Sequence, residues 1–310
     1  MARTSRYLRT KSGRRYKILL ILSLIAAVLA VIGAAIAVDV ARRIPDGVLR
    51  AYFIDVGQGD ASVILWNGGC VVIDAGTEAS AERLSIYLRK LGVSKIDCAV
   101  FTHPHSDHIG GGDNILADFV VKSVVMPDCP YEGESYSELL YYIEKEGCSI
   151  YMATPGDEYS FGDVIMTVLG PCTEYGDEND MSAVVKVTYG DIDFMYTGDA
   201  ESDAEYNIIN YWGVDILDVE VLKVGHHGSY TSTTEEFLAA TTPEFAIISC
   251  GRQNEYGHPH SKTLARLEKA GASVYRTDED GTIIIETDGV DVWRCVKGFL
   301  GRLHRADNKK

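Results

Sequence analysis

His103-Pro-His105-Ser-Asp107-His108 is the stretch that decides the predicted fold of this chain. It directly follows the apolar run 96–101, which is typical of a buried strand. Neutral imidazoles and carboxylates are ligands that cations such as Zn²⁺ and Mn²⁺ accept. Because buried His and Asp side chains are costly unless they are paired or metal-bound, this dense cluster predicts a metal site just past the end of that strand.

Other turns along the chain carry the same kinds of side chain. They are the glycine-bearing turns with Asp60 and Asp74, the end of the apolar run 192–196 at Asp199, the pair His226 and His227 after the run 219–224, and the loop with His258 and His260. Together with the opening motif, these segments hold seven of the eight histidines, which leaves only His304 elsewhere. This concentration predicts that loops from distant parts of the sequence meet in one site.

Strand patterns rich in Val and Ile alternate with helical patterns through most of the chain, which predicts an α/β fold with two sheets and outer helices. Predicted strands include 49–56, 61–66, 70–74, 96–101, 122–126, 164–169, 183–189, 192–196, 219–224 and 245–249. Predicted helices include 79–91, 135–146, 202–211, 234–240 and 261–270. The pattern fades near Gly298, so we place the globular domain at 49–298 and a frayed polar tail at 299–310.

The N-terminus predicts a membrane anchor. Residues 1–17 hold seven basic side chains and no acid, and residues 18–38 form a run of 21 residues without a charge. That run would make about 31 Å of helix at 1.5 Å per residue, which matches the hydrocarbon core of a bilayer. We therefore expect a cytoplasmic tail, one transmembrane helix, a tether at 39–48 and an extracellular domain. The alternative is a signal peptide cleaved near Ala35-Ile-Ala37, which would give a secreted protein.

Charge is unevenly distributed along the chain. The overall charge is −16 and the first 17 residues carry +7, which leaves −23 on residues 18–310. Residues this acidic repel nucleic acid and anionic lipid and would bind them weakly. Bound divalent cations would make the electrostatic potential near the site more positive.

The cysteines argue against a thiolate zinc site. Seven are present and none forms a Cys-x-x-Cys pair. Their odd number leaves at least one free thiol in an exported protein, and several lie in apolar runs where small apolar packing is expected.

The motifs carry a family resemblance. His-x-His-x-Asp-His, the strand that ends at Asp199 and the pair His226 and His227 resemble the metallo-β-lactamase superfamily. More narrowly, 56–60, 108–111, 225–229 and 256–259 resemble the hydrolase domain of the ComEC competence-protein family. The resemblance covers about residues 49–287 and excludes the many-helix channel of those proteins. It therefore implies a stand-alone hydrolase domain on a single anchor.

The resemblance implies an αββα sandwich with two divalent ions, Zn²⁺ or Mn²⁺, at one edge. One ion would be held by His103 and His105, the other by Asp107 and His108, with Asp199 as the bridge. One residue of the pair His226 and His227 would complete the second site. We favour His227 as the ligand and His226 as the residue that faces the substrate, and the reverse assignment stays open.

One departure from the superfamily pattern affects the first ion. The third-motif histidine is missing, because no histidine lies between His108 and Asp199. Asn179-Asp-Met-Ser182 stands there instead, so the first ion would be held more weakly or by Asp180, and Mn²⁺ stays open as its identity. Asp60 and Asp74 are expected to fix the loops beneath the metals by hydrogen bonding, with direct ligation as the alternative.

The expected chemistry is two-metal hydrolysis, in which the ions lower the pKa of a shared water and stabilise an in-line displacement. Asp107 could orient the water, and His258 or His260 could protonate the leaving group or bind phosphate. Asp107, His226 and His258 are the catalytic candidates, His226 as the residue that faces the substrate. Ser229 and Lys223 are candidate substrate contacts, and Lys223 could instead be an ion-pair partner.

The favoured function is a membrane-anchored extracellular phosphodiesterase, in the first place a nuclease acting on DNA. Hydrolysis of another extracellular substrate remains open. Enzymes of one fold can act on phosphocholine or teichoic-acid phosphodiesters or on lactams, so the fold alone does not choose the substrate. A surface binding module with structural metals is the third interpretation, and an open set of carboxylate and imidazole ligands argues against it.

Overall fold

The chain divides into two compact units after Arg43. The structure, a computed structural model, describes residues 16, 20–32, 44–297 and 303–305. Residues 20–32 are helical. None of the helices in the described residues combines the length and apolar content that a membrane crossing needs. The ends of the expected span 18–38, the proposed cleavage site, most of the basic tail and residues 39–43 of the tether lie outside the described residues.

From Ile44 onward the chain folds into strands and helices, numbered here along the sequence. The strands are β1 (Leu49–Phe53), β2 (Ala61–Trp66), β3 (Gly69–Ala75), β4 (Lys95–Ile96), β5 (Cys98–Val100), β6 (Val120–Val121), β7 (Ser123–Met126), β8 (Ser149–Met152), β9 (Glu158–Phe161), β10 (Val164–Val168), β11 (Val185–Tyr189), β12 (Ile192–Tyr196), β13 (Val221–Lys223), β14 (Phe245–Ile248), β15 (Ser273–Arg276), β16 (Ile283–Thr287), β17 (Val292–Lys297) and β18 (Leu303–Arg305). The helices are α1 (Glu78–Leu91), α2 (Ser106–Ile109), α3 (Gly112–Asp118), α4 (Glu134–Glu146), α5 (Ser202–Trp212), α6 (Glu235–Thr241), α7 (Ser261–Ala270) and α8 (Thr277–Asp280).

Two large sheets form the centre of this unit. The first has the strand order β18-β17-β16-β1-β2-β3-β5-β7-β8, and the second has the order β15-β14-β13-β12-β11-β10-β9. A short pair, β4 and β6, stands apart from both. Alternating side chains of a strand point to opposite faces, and here both faces of the central strands are apolar. Sheets of this kind need a covering layer on each side.

In the described residues from Ile44 onward, the layers pack against one another through three apolar cores. The core between the sheets joins residues such as Ile64 to Phe194. A second core packs the outer face of the first sheet against α1, α3 and α4, through Leu88 among others. A third packs the second sheet against α5, α6 and α7, where Leu267 is fully buried. The predicted αββα sandwich is confirmed.

The topology collects the candidate site at one edge. Strands β3, β5 and β7 are parallel neighbours, and so are β12, β13 and β14. The carboxyl ends of parallel strands meet at the same edge of a sheet, which is where open α/β sheets bind ligands. The segments after β5, β12, β13 and β14 are the predicted histidine and aspartate loops.

Some expectations need correction. Part of the predicted polar tail, Leu303–Arg305, forms β18 and pairs with β17. Three residues are too few to show a period in the sequence, so the pairing depends on the edge that β17 offers. β9, α2 and α8 were also not anticipated. All seven cysteines are free, and five of them are buried, as expected for packing residues.

Candidate metal centre

The opening motif is shaped by a close approach of two loops. The backbone N–H of Asp60 donates to the carbonyl of Asp107 at 3.0 Å. The neighbouring Gly59 has φ +147°, and a Cβ there would lie 2.4 Å from the Asp107 carbonyl oxygen. Only glycine fits that position, so the turn 57–60 and the motif 103–108 hold each other in place.

His103 and His105 direct ring nitrogens to one point. Nε2 of His103 lies 3.1 Å from Nδ1 of His105 and 3.9 Å from Oδ2 of Asp199. Burial and the neighbouring imidazole of His108 lower the pKa of His103 well below its ordinary value. A neutral imidazole is the form that ligates metals.

A second group of donors also lies close to Asp199. Nε2 of His108 is 3.1 Å from Oδ1 of Asp199. Nε2 of His227 is 3.6 Å from Oδ2 of Asp199 and 3.1 Å from Oδ2 of Asp107. The Asp199 carboxylate is therefore near three imidazoles, with Oδ1 closest to His108 and Oδ2 close to both His103 and His227.

These residues fit a divalent cation. His108 Nε2 and Asp199 Oδ1 are buried and, despite their short separation, have no hydrogen-bond partner among the described residues. Burial alone would raise the pKa of Asp199 and lower that of His108, yet their mutual charges reverse both effects and hold the Asp199 pKa far below, and the His108 pKa well above, the ordinary values. Because the buried carboxylate favours the protonated form of the His108 imidazole, positive charge is favoured at this place, and a bound cation could supply that charge.

Two buried carboxylates lie on the Nδ1 side of the imidazoles. Asp74 Oδ2 lies 2.7 Å from Nδ1 of His108, and the same carboxylate accepts hydrogen bonds from the backbone N–H and hydroxyl of Thr102. Asp60 Oδ2 is 2.7 Å from Nζ of Lys223 and 4.0 Å from Nδ1 of both His108 and His227.

Ligand atoms of Asp60, His108, Asp199 and His227 all lie within 4.8 Å of one another. Asp60 nevertheless faces the Nδ1 side of the imidazoles and is paired with a lysine. The geometry thus favours a supporting role over direct ligation for both acids. Asp74 acts through hydrogen bonds, as carboxylates behind ligating imidazoles commonly do, and Asp60 acts through its ion pair with Lys223.

The consecutive histidines point in different directions because both have left-handed backbones, with φ +46° at His226 and +53° at His227. His227 is buried and places Nδ1 3.0 Å from the Ser249 carbonyl, which leaves Nε2 free to face Asp107. His226 is partly exposed and places Nδ1 2.7 Å from Oε1 of Glu201. The geometry favours His227 as the ligand and His226 as the residue facing the substrate.

A cleft of about 300 Å³ opens over this cluster. It is lined by Gln58, His105, Ser106, Asp107, Tyr131, Asn179, Asp199, His226, His227, Tyr256 and His258. Among these described lining residues there is no lysine or arginine, so an anionic ligand would depend on imidazoles and bound cations for its charge balance.

The family follows from a comparison with known sequences. The profile of the metallo-beta-lactamase superfamily matches residues 54–252, which is more than half of the chain. The chain belongs to that superfamily. With the buried His and Asp cluster, this membership identifies a metal-dependent hydrolase.

Two curated relatives and one solved structure show where the similarity lies. The chain is 33% identical over 249 residues to ComE operon protein 3 of Bacillus subtilis, an alignment that covers 74% of this chain and 32% of that protein. It is 28% identical over 244 residues to Competence protein ComA of Neisseria gonorrhoeae, covering 78% of this chain and 33% of that protein. The chain thus spans about a third of the length of these relatives.

The metallo-beta-lactamase fold protein YhfI of Bacillus subtilis superposes with a TM-score of 0.54 at 11% identity, over 77% of this chain and all of that one. At this identity the similarity shows the fold alone.

The fold does not bring every predicted residue into the cleft. Lys223 is buried in its ion pair with Asp60, the alternative that the sequence left open for it. The Ser229 hydroxyl bonds that of Thr231 at 2.9 Å, and His260 Nδ1 accepts from the Tyr230 N–H at 3.1 Å. None of the three predicted substrate contacts lines the cleft.

Two further expectations are changed by the surroundings of the side chains. Asp180 Oδ1 accepts the backbone N–H of Glu201 at 2.9 Å, so this carboxylate braces the start of α5 and does not face the cleft. Burial and the imidazoles of His227 and His226 lower the pKa of His258 to about 4. A neutral His258 is a poor proton donor to a leaving group at neutral pH.

Two other groups in the site have only weak signals in the sequence. Glu201 holds His226. In the sequence, the only indication of this role is that Glu201 is an acid two residues after Asp199. Tyr256 is exposed and stacks on His258 with ring centroids 5.6 Å apart, and it is visible only as part of the 256–259 motif.

Proposed function

We propose that this chain is a two-metal phosphodiesterase that cleaves nucleic acid, DNA in the first place, outside a cell membrane. The observation that carries the proposal is the contact of one buried carboxylate, Asp199, with the imidazoles of His103, His108 and His227. One carboxylate shared by two donor sets suits a pair of divalent ions, whereas a single structural zinc site is closed by four ligands.

Each residue has a distinct task in this proposal. His103 and His105 would hold one ion, Asp107, His108 and His227 the other, and Asp199 both. When bound, the ions would supply Lewis acidity and lower the pKa of a water molecule. Asp107 is about one-third exposed to the cleft, so its carboxylate can also accept a proton from that water and orient it.

His226 is the favoured proton donor to the leaving group. Burial lowers its pKa, but the hydrogen bond with Glu201 and the charge of Asp199 outweigh burial and raise the pKa above the ordinary value. With Nδ1 held by Glu201, Nε2 lies 3.7 Å from Asp199 Oδ2 at the cleft. A protonated imidazole in that position can donate from Nε2 to a departing oxygen.

The substrate class is supported by the relatives and by the cleft walls. Two relatives have names that refer to competence or the ComE operon. Tyr131 and Tyr256 both line the cleft and offer aromatic faces on which bases can stack. The acidic body of the chain opposes nonspecific binding of DNA, so affinity would depend on the metals.

The activity is tested with purified full-length chain, loaded with Mn²⁺ or Zn²⁺, on labelled DNA, bis-p-nitrophenyl phosphate, nitrocefin and a phosphocholine ester. We expect cleavage of DNA and of the nitrophenyl diester. Turnover of nitrocefin or phosphocholine without any DNA cleavage under either metal would overturn the nuclease proposal and favour another extracellular hydrolase. No turnover of any substrate would favour the binding module.

A matched pair of variants tests the proton donor. We expect His226→Asn to slow DNA cleavage by about 10²- to 10⁴-fold and to slow the nitrophenyl diester much less, because p-nitrophenolate departs without protonation. His260→Asn, outside the cleft, should leave both rates near the parent values. Equal losses on both substrates for His226→Asn would remove its assigned role.

We also propose that residues 18–38 anchor the chain with its body outside. The support is the uncharged run of 21 residues behind seven basic side chains. In a bacterial host, the full-length chain should remain with the membrane after a high-salt wash, and protease added to intact cells should remove the body. Release of a shortened soluble chain would favour the signal peptide instead.

A further inference from the structure

The first set of donors is incomplete in this chain. His103 and His105 with Asp199 give it three side chains, and the residues between His108 and Asp199 include no histidine to add a fourth. The second set has Asp107, His108, His227 and Asp199. An oxygen or nitrogen donor near His105 and Asp199 would make the two sets equal in number.

The turn 179–182 is fixed against the Asp199 loop at two points. The backbone N–H of Asp199 donates to Oγ of Ser182 at 3.0 Å, and that of Glu201 donates to Oδ1 of Asp180 at 2.9 Å. Inside the turn, the Ser182 N–H donates to the carbonyl of Asn179 at 3.0 Å. Gly198 lets the two loops approach, because its φ is +55° and a Cβ there would lie 2.8 Å from Ser182 Oγ.

This bracing leaves Asn179 at the cleft. Its side chain lines the same cavity as His105 and Asp199. Its Oδ1 is inaccessible to solvent and has no hydrogen-bond partner in the part of the chain that the structure describes. An unpaired buried amide oxygen destabilises the fold, and ligation of a cation would give that oxygen a partner. The neighbouring Asp180 carboxylate is engaged by backbone N–H groups.

We propose that Asn179 Oδ1 is the fourth protein ligand of the first ion, in the place where the superfamily pattern expects a histidine. The inference rests on the two-metal centre proposed above, and not on its substrate. A neutral amide oxygen is a weaker donor to zinc than imidazole, and oxygen donors suit Mn²⁺. The first site should therefore bind more weakly than the second and select Mn²⁺ more readily than a histidine-bearing site.

Metal titration of the full-length chain tests the ligand without recourse to activity. Chelator-treated protein is titrated with Mn²⁺ and, separately, Zn²⁺ by calorimetry, and bound metal is counted by elemental analysis. We expect two Mn²⁺ per parent chain. Asn179→Ala should retain one, or bind the weaker ion at least about tenfold less tightly. Asn179→His should tighten Zn²⁺ at the weaker site relative to Mn²⁺.

Asp180→Asn is the control, because it changes the adjacent side chain while an amide oxygen can still accept the Glu201 N–H, and it should retain both ions. Parent-like stoichiometry and affinities in Asn179→Ala, loss of an ion in Asp180→Asn, or a single ion in the parent would each overturn the assignment. If Asn179→Ala does not fold, the near-isosteric Asn179→Asp decides, since an added charge on a ligand must tighten Mn²⁺ and unchanged affinity overturns the proposal. Two bound ions without DNA cleavage would reject the proposed function and leave this ligand assignment in place.

Discussion

The two halves of the sandwich build the metal centre differently. The half with the nine-stranded sheet contributes one contiguous motif, 103–108, whose His108 imidazole is held from behind by Asp74. The half with the seven-stranded sheet contributes Asp199 and His227 from separate strand ends. Of the carboxylates that support this half, Asp180 and Glu205 bond backbone N–H groups, and Glu201 holds His226, which faces the cleft, and not the predicted ligand His227.

The comparison shows that buried carboxylates of the same chemical kind have different bonding partners, and therefore different roles, in the two halves. In the first half a supporting carboxylate fixes which ring nitrogen faces the cation, so its loss should appear in metal affinity. In the second half Asp180 and Glu205 fix loops, so their loss should appear in stability. Asp199 belongs to the second half but contacts donors of both.

Replacing Asp199 should have the largest effect, because it removes the one side chain shared by both donor sets. We expect Asp199→Ala to lose more than about 10³-fold in diester hydrolysis, beyond the 10- to 100-fold typical of groups behind the ligands, and to lose bound metal. Asp193→Ala is the matched control on the same strand, β12, where the side chain pairs with Lys186. Retained metal content and hydrolysis in Asp199→Ala would refute a shared carboxylate.

Asp74→Asn should separate the roles of supporting carboxylates. Asp74 has φ +58°, a backbone that asparagine adopts readily, so the fold should tolerate the change. Loss of the charge behind His108 should weaken metal affinity by about 10- to 100-fold, measured by competition with a chelating indicator. Asp97→Asn removes a comparably bonded carboxylate that contacts the Cys70 N–H and Lys122, and should not change metal affinity. A stability loss without an affinity loss in Asp74→Asn would contradict the comparison.

Glu205→Gln should change stability and leave metal affinity alone. Glu205 is buried beneath the loop 231–234 and accepts the N–H and hydroxyl of Thr234. Burial raises its pKa from 4.5 to about 7, against the opposing effect of these donors. A raised carboxyl pKa means that the folded state holds the proton more tightly, so this contribution to stability is fully present below about pH 4.5 and is lost as the pH rises through about 7.

A Glu205 pKa raised from 4.5 to about 7 corresponds to at most about 3.5 kcal/mol of stability at about 1.4 kcal/mol for each pKa unit. Urea unfolding between about pH 5 and 8 should therefore show a flatter dependence on pH in Glu205→Gln than in the parent chain. The exposed Glu236→Gln, in the first turn of α6, is the control and should keep the parent slope. Identical slopes in all three proteins would exclude this role of Glu205.

Sequence patterns were sufficient for the layers and for most of the metal cluster. The apolar periods predicted two sheets with outer helices, and the motif 103–108, Asp199 and His227 do converge to separations under 4 Å. The same patterns did not predict the partners of Lys223 and His260. Both residues lie near cluster residues in sequence, but Lys223 pairs with Asp60 and His260 bonds the Tyr230 backbone. A position in a loop does not fix the direction of its side chain, because that depends on φ, ψ and the neighbouring element.

By itself the sequence determined the chemical kind of the site, because only imidazole and carboxylate side chains are concentrated after its buried strands. Tertiary structure alone decided which carboxylates face the cation and which brace a backbone, and that Asn179 rather than Asp180 lines the cleft. The physical reason is that these roles depend on distances of a few ångströms between loops remote in sequence, which are set by the packing of the two sheets.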